Sequence, residues 1–228
     1  MVKEELQIFT NNDGLYHMIR KRLNCLNNPV HMRVEGPIHV AGSSVSNYVK
    51  ANASYFYKHK DFNGSRNAIC IGFGLYLDFK KKKPTSKESW PGIKHEVLSE
   101  LTDEEFLRLI PEDNRGYRLE GSLAYISGVM HEPVVFSDIQ TGKIAMEPQG
   151  ELKPFHKYPF SRLLIPSSFE KTFAQMDMDE YRTVANPDEI ENNFIRQFVS
   201  WYKKNSLRWF KWVDMVVVAV FQCVEFIQ

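Results

Sequence analysis

Apolar residues recur along the chain at two spacings, one of strands and one of helices. Leu6-Gln7-Ile8-Phe9 is a short apolar run that stops at Thr10-Asn11-Asn12-Asp13-Gly14, which predicts a buried strand followed by a polar turn. Leu15, Met18, Ile19, Arg22 and Leu23 then fall at helical spacing, and Asn27-Asn28-Pro29 ends that element. A strand, a tight loop and a helix N-terminus in this order leave backbone N–H groups pointing outward, where an anion can sit. A second strand is expected within Val30 to Val34. Gly42-Ser43-Ser44 supplies cap residues for a helix carrying Val45, Tyr48, Val49, Asn52 and Phe56. Ala68 to Leu77 reads as a nearly continuous buried strand, and its Gly72 and Gly74 mark a bend or bulge.

Thr102-Asp103-Glu104-Glu105 carries an N-cap signature and opens a helix through Phe106, Leu107 and Ile110. Gly121 to Gly128 and Pro133 to Asp138 predict two antiparallel strands joined by a short turn, with Thr141 to Met146 as a third. Phe169 to Met176 and Ile190 to Tyr202 are helical by period. No repeat, low-complexity tract or long linker divides these elements. The pattern predicts one mixed α/β domain over residues 1–204, followed by an apolar extension over 205–228.

Composition narrows the picture. A chain of 228 residues with 43% hydrophobic content fits one large domain with a sizeable core. A formal net charge of +1 makes no general case for nucleic acid or an acidic membrane. Only Lys80-Lys81-Lys82-Lys83 is locally basic, and beside Pro84, Thr85 and Ser86 it reads either as a solvated loop or as a phosphate-facing one. Cys25, Cys70 and Cys223 form no CxxC pair, against both a disulfide framework and a zinc site. Met1-Val2-Lys3-Glu4-Glu5 lacks the apolar stretch of a signal peptide. The longest apolar run, Met215 to Phe221, falls far short of the ~20 residues that span a bilayer. No transmembrane segment is therefore expected, and the cytoplasm or nucleus is the expected compartment.

Three consecutive pieces carry a family resemblance. The first is Trp90-Pro91-Gly92-Ile93-Lys94, followed by a helix with Phe106-Leu107. The second is Glu132-Pro133-Val134-Val135-Phe136 and then Thr141-Gly142-Lys143-Ile144. The third, and most specific, is Ile165-Pro166-Ser167-Ser168-Phe169-Glu170-Lys171-Thr172-Phe173-Ala174-Gln175-Met176. In this order they resemble the inosine triphosphate pyrophosphatase family, which cleaves non-canonical purine nucleoside triphosphates to the monophosphate and pyrophosphate. The resemblance implies a long, bent mixed sheet flanked by helical lobes, a nucleotide cleft between them, a homodimer and a dependence on Mg2+.

The same resemblance shows most of the catalytic positions rewritten. Of the family's Thr-x-Asn-x-x-Lys after the first strand, Thr10 and Asn12 match, and Leu15 stands at the lysine. An apolar side chain cannot replace a charge-assisted phosphate contact. Thr10 and Asn12 are read either as triphosphate contacts or as ordinary turn residues. The family's metal-holding glutamate after a proline is replaced at Pro37-Ile38, while the lysine twelve residues later is present as Lys50. Glu35 is the one nearby carboxylate that a shifted loop would bring to the metal; an exposed loop glutamate is the plainer reading. The family's aspartate ahead of Gly-Leu falls within Ile71-Gly72-Phe73-Gly74-Leu75, where no carboxylate stands. Magnesium needs hard oxygen ligands, so this loss weighs most.

Where the family's Phe-Gly-Trp-Asp-Pro sandwiches the purine, this chain offers Tyr158-Pro159-Phe160-Ser161-Arg162. Tyr158 and Phe160 keep aromatic faces for a base or serve as core, and Ser161 cannot copy the paired hydrogen bonds of a carboxylate. The final Lys-Asn-x-x-Ser-His-Arg corresponds to Tyr181-Arg182-Thr183-Val184-Ala185-Asn186-Pro187, with the lysine and the Ser-His-Arg triplet gone.

The expectation is therefore a diverged relative with little or no catalytic activity, retained to bind a purine nucleotide through Thr10, Asn12, Lys50, Tyr158 and Phe160, or to bind a protein. The alternative is an active pyrophosphatase with relocated ligands, Glu35 among them. Past Tyr202 the chain adds Trp209, Phe210, Trp212 and the Met215–Phe221 run. This extension reads either as an extra packed element or as a docking surface for a second copy or a protein partner.

Overall fold

A computed structural model gives the fold and describes residues 6–9, 17, 19–22, 29–32, 44–59, 67–78, 91–92, 98, 101–127, 130–156, 160–185, 189–190 and 192–205. The elements run β1 (Leu6–Phe9), β2 (Pro29–Met32), α1 (Val45–His59), β3 (Asn67–Leu77), β4 (Pro91–Gly92), α2 (Asp103–Leu107), β5 (Gly116–Ser127), β6 (Val134–Ile144) and β7 (Leu164–Pro166). A 3-10 turn (Phe173–Gln175), α3 (Met178–Ala185) and a closing helix α4 over 194–205 follow. All seven strands belong to one mixed sheet in the order β2-β1-β3-β5-β6-β7, with β4 beside β3. β1 runs parallel to β2 and β3, and β3, β5, β6 and β7 are antiparallel neighbours. Along β3, β1 pairs with residues 67–70 only, and β4 takes the same edge farther on, at Leu75 and Tyr76.

Strand alternation sorts the core into layers. Ala68, Cys70 and Tyr76 of β3 pack with Val45, Val49 and Ala53 of α1 on one face. Ile69 and Ile71, of opposite parity, join Leu123, Phe194 and Phe198 on the other. Leu75 and Leu77 share that second face with Phe106, Tyr117, Phe173 and Val184. One face thus carries α1, and the other carries two lobes side by side. Cys70 lies within the first of these layers, where burial pushes its thiol up to about 12, so it stays an unreactive core residue.

α1 lies close to the sheet because Gly72 and Gly74 offer no side chains. A Cβ on Gly72 would meet Val49 Cγ1 at 3.0 Å and Val45 Cγ1 at 3.2 Å, and one on Gly74 would meet Val45 Cγ2 at 2.7 Å. Ser44 caps the helix as expected, its Oγ accepting from Asn47 N at 3.2 Å. Further polar groups, which the sequence alone did not single out, anchor the same start. The Tyr76 hydroxyl accepts from Val45 N at 3.2 Å. The carboxylate of Glu120, only 6% exposed, accepts from Ser46 N at 3.4 Å and Ser46 Oγ at 3.0 Å. Ser46 Oγ also lies 3.0 Å from Ser137 Oγ, which is 2.8 Å from Ser122 Oγ. A negative charge under the unpaired N–H groups of a helix start is favourable on both hydrogen-bonding and dipole grounds.

α4 is fastened in a similar way. Asp138 Oδ2 accepts from Phe194 N at 3.1 Å and from Asn193 Nδ2 at 2.9 Å, while Gln197 Nε2 donates to Ser137 O at 3.2 Å. Phe194 lies over Gly121, where a Cβ would come within 2.8 Å of Phe194 Cδ1.

Several expectations need correction. The strands expected at Pro133–Asp138 and Thr141–Met146 are one continuous β6, because the polar Asp138 is taken up by α4 and Gln140 Nε2 donates to Val184 O at 3.3 Å. β5 begins at Gly116, ahead of the expected Gly121. The helix expected over Phe169–Met176 shrinks to the 3-10 turn: Met176 is extended (φ −75°, ψ 145°), and Asp177 Oδ1 caps a new helix by accepting from Glu180 N at 2.9 Å. α3 itself was not anticipated. The capping box of Thr102 and Glu105 forms as expected, and α2 is short.

Buried Glu120 and half-buried Asp138 can be weighed by their effect on stability. Glu120→Ala strands the N–H and hydroxyl groups it serves, so it is expected to cost about 1–3 kcal/mol, a drop of roughly 2–4 °C in melting temperature per kcal/mol for a domain of this size. Glu120→Gln keeps an acceptor and is expected to cost less. Asp138 is the second case: burial, set against backbone donors from Phe194 and Gly121, raises its carboxyl from 3.8 to about 6. Its protonated form is favoured in the folded state, so its contribution to stability is full below about pH 4 and lost as pH rises through 6. Asp138→Asn is therefore expected to stabilise the protein relative to the parent above pH 6, with the gap closing towards pH 4. A gap that stays constant from pH 4 to 7.5 in thermal melts would contradict this.

Candidate functional site

The two lobes on one face of the sheet meet along the row Phe73–Gly121–Asp138, three residues in register across β3, β5 and β6. On one side of that row lies the lobe of Ile69, Ile71 and Leu123, and on the other the lobe of Leu75 and Leu77. Phe73 is 40% exposed between them and meets the edge of Phe194, with ring centroids 5.6 Å apart. Asp138 stands in the same row with its raised pKa. A partly buried carboxyl of shifted pKa between two lobes is a group that catalytic sites use. Sequence reasoning missed it. Its only signal was a lone charge on the inward parity of an apolar strand.

The residues that the resemblance matches to a metal-binding aspartate are Ile71 and Gly72, which precede Phe73 on β3. Ile71 is 7% exposed and packs in the apolar cluster with Ile8, Ile69 and Leu123. Gly72 faces the opposite side, directly under Val45 and Val49 of α1. A carboxylate at 71 would enter apolar core, and one at 72 would press on the side chains of Val45, Tyr48 and Val49, its Cβ lying 3.0–3.3 Å from them. Neither position fits a magnesium ion, which needs several oxygen ligands in near-octahedral array. A metal-dependent step has no footing at either residue.

Of the expected nucleotide contacts, Lys50 and Phe160 fall within the described residues; Thr10, Asn12, Tyr158 and the proposed metal ligand Glu35 lie outside them. Lys50 lies on α1 with its ammonium 2.8 Å from Glu132 Oε2, both side chains well exposed at 45% and 74%. That bond holds the Glu132 carboxyl below its ordinary range. Such exposed pairs contribute little, so Lys50 can exchange Glu132 for another anion. Phe160 adopts a left-handed backbone (φ 54°) and stacks on Phe106 with centroids 4.0 Å apart and planes 12° from parallel. One face of its ring is thereby occupied. Lys50 sits beside the β5–β6 turn, while Phe160 belongs to the lobe around the opposite end of those strands, so the structure does not bring the two together. Ser161 is buried and its carbonyl accepts from Ala174 N at 2.8 Å.

The motif that carries the resemblance best turns out to be a packing device. Lys171 pairs with Glu180 at 2.6 Å, and buried Thr172 donates its hydroxyl to Gln149 O at 2.9 Å. Thr172 N donates to Gln175 Oε1 at 2.9 Å, and Phe173, Ala174 and Met176 enter the core. Among the described residues no helix is long and apolar enough to cross a membrane.

No protein-family model matches the chain. The dITP/XTP pyrophosphatase of Thermococcus kodakarensis is 31% identical to it over 94 residues, which cover 41% of this chain and 45% of that protein. The chain therefore matches less than half the length of this curated relative. Solved structures agree over far more of the chain. The Ham1 protein of Staphylococcus aureus superposes with a TM-score of 0.66 at 17% identity, covering 89% of this chain and 100% of that one. A HAM1 protein from Coxiella burnetii gives 0.65 at 15% identity, covering 88% and 99%. The nucleoside-triphosphatase, or dITP/XTP pyrophosphatase, of Mycobacterium abscessus gives 0.60 at 16% identity, covering 79% and 92%. The mixed sheet with its helices on both faces is the fold of the Ham1 proteins.

Proposed function

We propose that this chain is a diverged member of the dITP/XTP pyrophosphatase family that has little or no catalytic activity and serves as a nucleotide-binding or protein-interaction module. The observation that carries this reading is the packing of Ile71 and Gly72. Where a metal carboxylate is required, one position is buried in apolar core and the other lies against Val45 and Val49. The local sequence similarity to a dITP/XTP pyrophosphatase and the shared fold support descent from a nucleotide-handling ancestor. A purine nucleotide is the ligand this reading favours, with Thr10, Asn12, Lys50, Tyr158 and Phe160 as its contacts. The extension over 205–228, separate from the domain at 1–204, is the surface it assigns to a second copy or a protein partner.

One observation favours a second reading, an active pyrophosphatase with relocated ligands. Asp138 supplies a carboxyl of raised pKa in the crease, and Glu35 would be its companion at the metal.

Pyrophosphate release from ITP, XTP, dUTP and canonical nucleotides, measured with magnesium and with manganese, separates the two. Losing several charge contacts to the triphosphate costs many decades in rate, because each 1.36 kcal/mol of barrier is about tenfold. Turnover near background is expected for every substrate. Strong magnesium-dependent turnover, abolished by Glu35→Gln or Asp138→Asn, would establish the second reading instead. On the first reading ITP raises the melting temperature without being cleaved, and Lys50→Ala weakens that shift. If no nucleotide moves the melt at millimolar concentration, the module binds protein rather than nucleotide.

A further inference from the structure

On the face that carries α1, a cavity of about 520 Å³ opens beside the ends of β5, β6 and β7. It is a different place from the crease and from Lys50. Arg118 and Thr141 are register partners on its floor, and Lys143 follows Thr141 on the same face of β6. Ser167 and Phe169, just after β7, complete the wall, and Thr141 Oγ1 lies 3.4 Å from Ser167 Oγ. The volume falls in the range of about 300–1,000 Å³ common for small-molecule sites.

Arg118 is the feature that packing alone does not account for. Its guanidinium lies over the ring of Tyr76, 4.5 Å from the centroid, and its buried Nε meets no acceptor among the described residues. A buried charged donor without an acceptor is costly, and native proteins rarely leave one so. Stacking on Tyr76 fixes the plane of the guanidinium fork, and a fixed fork suits the two oxygens of an oxyanion. Lys143 adds a second, exposed cation, and the two hydroxyls add donors beside it.

The same wall holds two carboxylates, Asp78 and Glu170, so its formal charge sums to zero. Asp78 leans over Gly116, whose missing side chain leaves room for it. Two acceptors opposite two cations suit a ligand that is anionic at one end and carries hydroxyl or amino donors along its body. A polyanion such as a nucleoside triphosphate would bring several negative charges against Asp78 and Glu170. We propose that this cavity binds a small phosphomonoester with a hydroxyl-bearing body, its phosphate on Arg118, Lys143, Thr141 and Ser167, and its hydroxyls on Asp78 and Glu170.

The test uses the full chain and ribose 5-phosphate as probe, followed by calorimetry and thermal shift. Saturable binding with a submillimolar Kd is expected, with none for ribose alone. Lys143→Ala, a substitution at an exposed position, is expected to weaken it by about tenfold or more, the loss of one charge-assisted contact. Arg118→Gln is expected to abolish it, and if that variant fails to fold, Lys143→Ala with Ser167→Ala carries the test. ITP is expected to compete poorly. The proposal is overturned if ribose 5-phosphate does not bind at about 10 mM, an affinity too weak to specify a site. It is also overturned if Lys143→Ala binds as the parent does, if Lys50→Ala removes binding while Lys143→Ala keeps it, or if succinate binds in place of the phosphate ester.

Discussion

The seating of α1 on Gly72 and Gly74 is the contact on which the rest of the structure depends. With no side chains at those two positions, Val45 and Val49 come within van der Waals contact of the β3 backbone. That approach brings Ser46 down to Glu120, Ser122 and Ser137, so one helix start ties together β3, β5 and β6. Gly72 is also one of the two positions where the family resemblance leads one to expect a metal carboxylate, and a side chain there would press on Val45, Tyr48 and Val49 at 3.0–3.3 Å.

The crease on the opposite face shows a related exchange. Phe73, Gly121 and Asp138 form a row in which the glycine makes room for Phe194 and the aspartate holds the start of α4. Asp138 therefore serves packing, although its burial gives it a pKa suited to proton transfer. A group can be poised for catalysis by its surroundings and still be occupied by structure. The hydrogen bonds it accepts from Phe194 and Asn193 are that occupation.

The legible parts of the sequence were those where one physical signal ruled. Ala68 to Leu77 is buried on both faces save around Gly72 and Phe73 and reads as a strand on hydrophobicity alone; Thr102 and Glu105 make the capping box their order implies. Lys171 to Met176 carried the resemblance because its side chains are fixed by packing and local hydrogen bonds, which tolerate little change. The illegible parts were those where tertiary contacts overrode local pattern. Asp138 and Gln140 look like a strand break until α4 and Val184 are seen to satisfy them. Phe169, Phe173 and Met176 have helical spacing, yet an extended Met176 and the cap at Asp177 interrupt it. Glu120 was overlooked because nothing in a strand of mixed polarity announces which polar side chain will lie beneath a distant helix. Among the candidate contacts, Lys50 was found by a motif and Phe160 by counting from Pro166, and neither method reports what the side chain touches.

Manganese as a paramagnetic stand-in for magnesium tests the central claim most directly, with backbone amide NMR read on the full chain without nucleotide. If the metal positions hold no ion, manganese stays in bulk solution and the amides of Ile71, Gly72 and Gly74 keep their intensities. Selective broadening centred on those three amides, saturating with manganese and reversed by excess magnesium, would contradict the account and place a working metal centre where the structure shows a helix against a glycine.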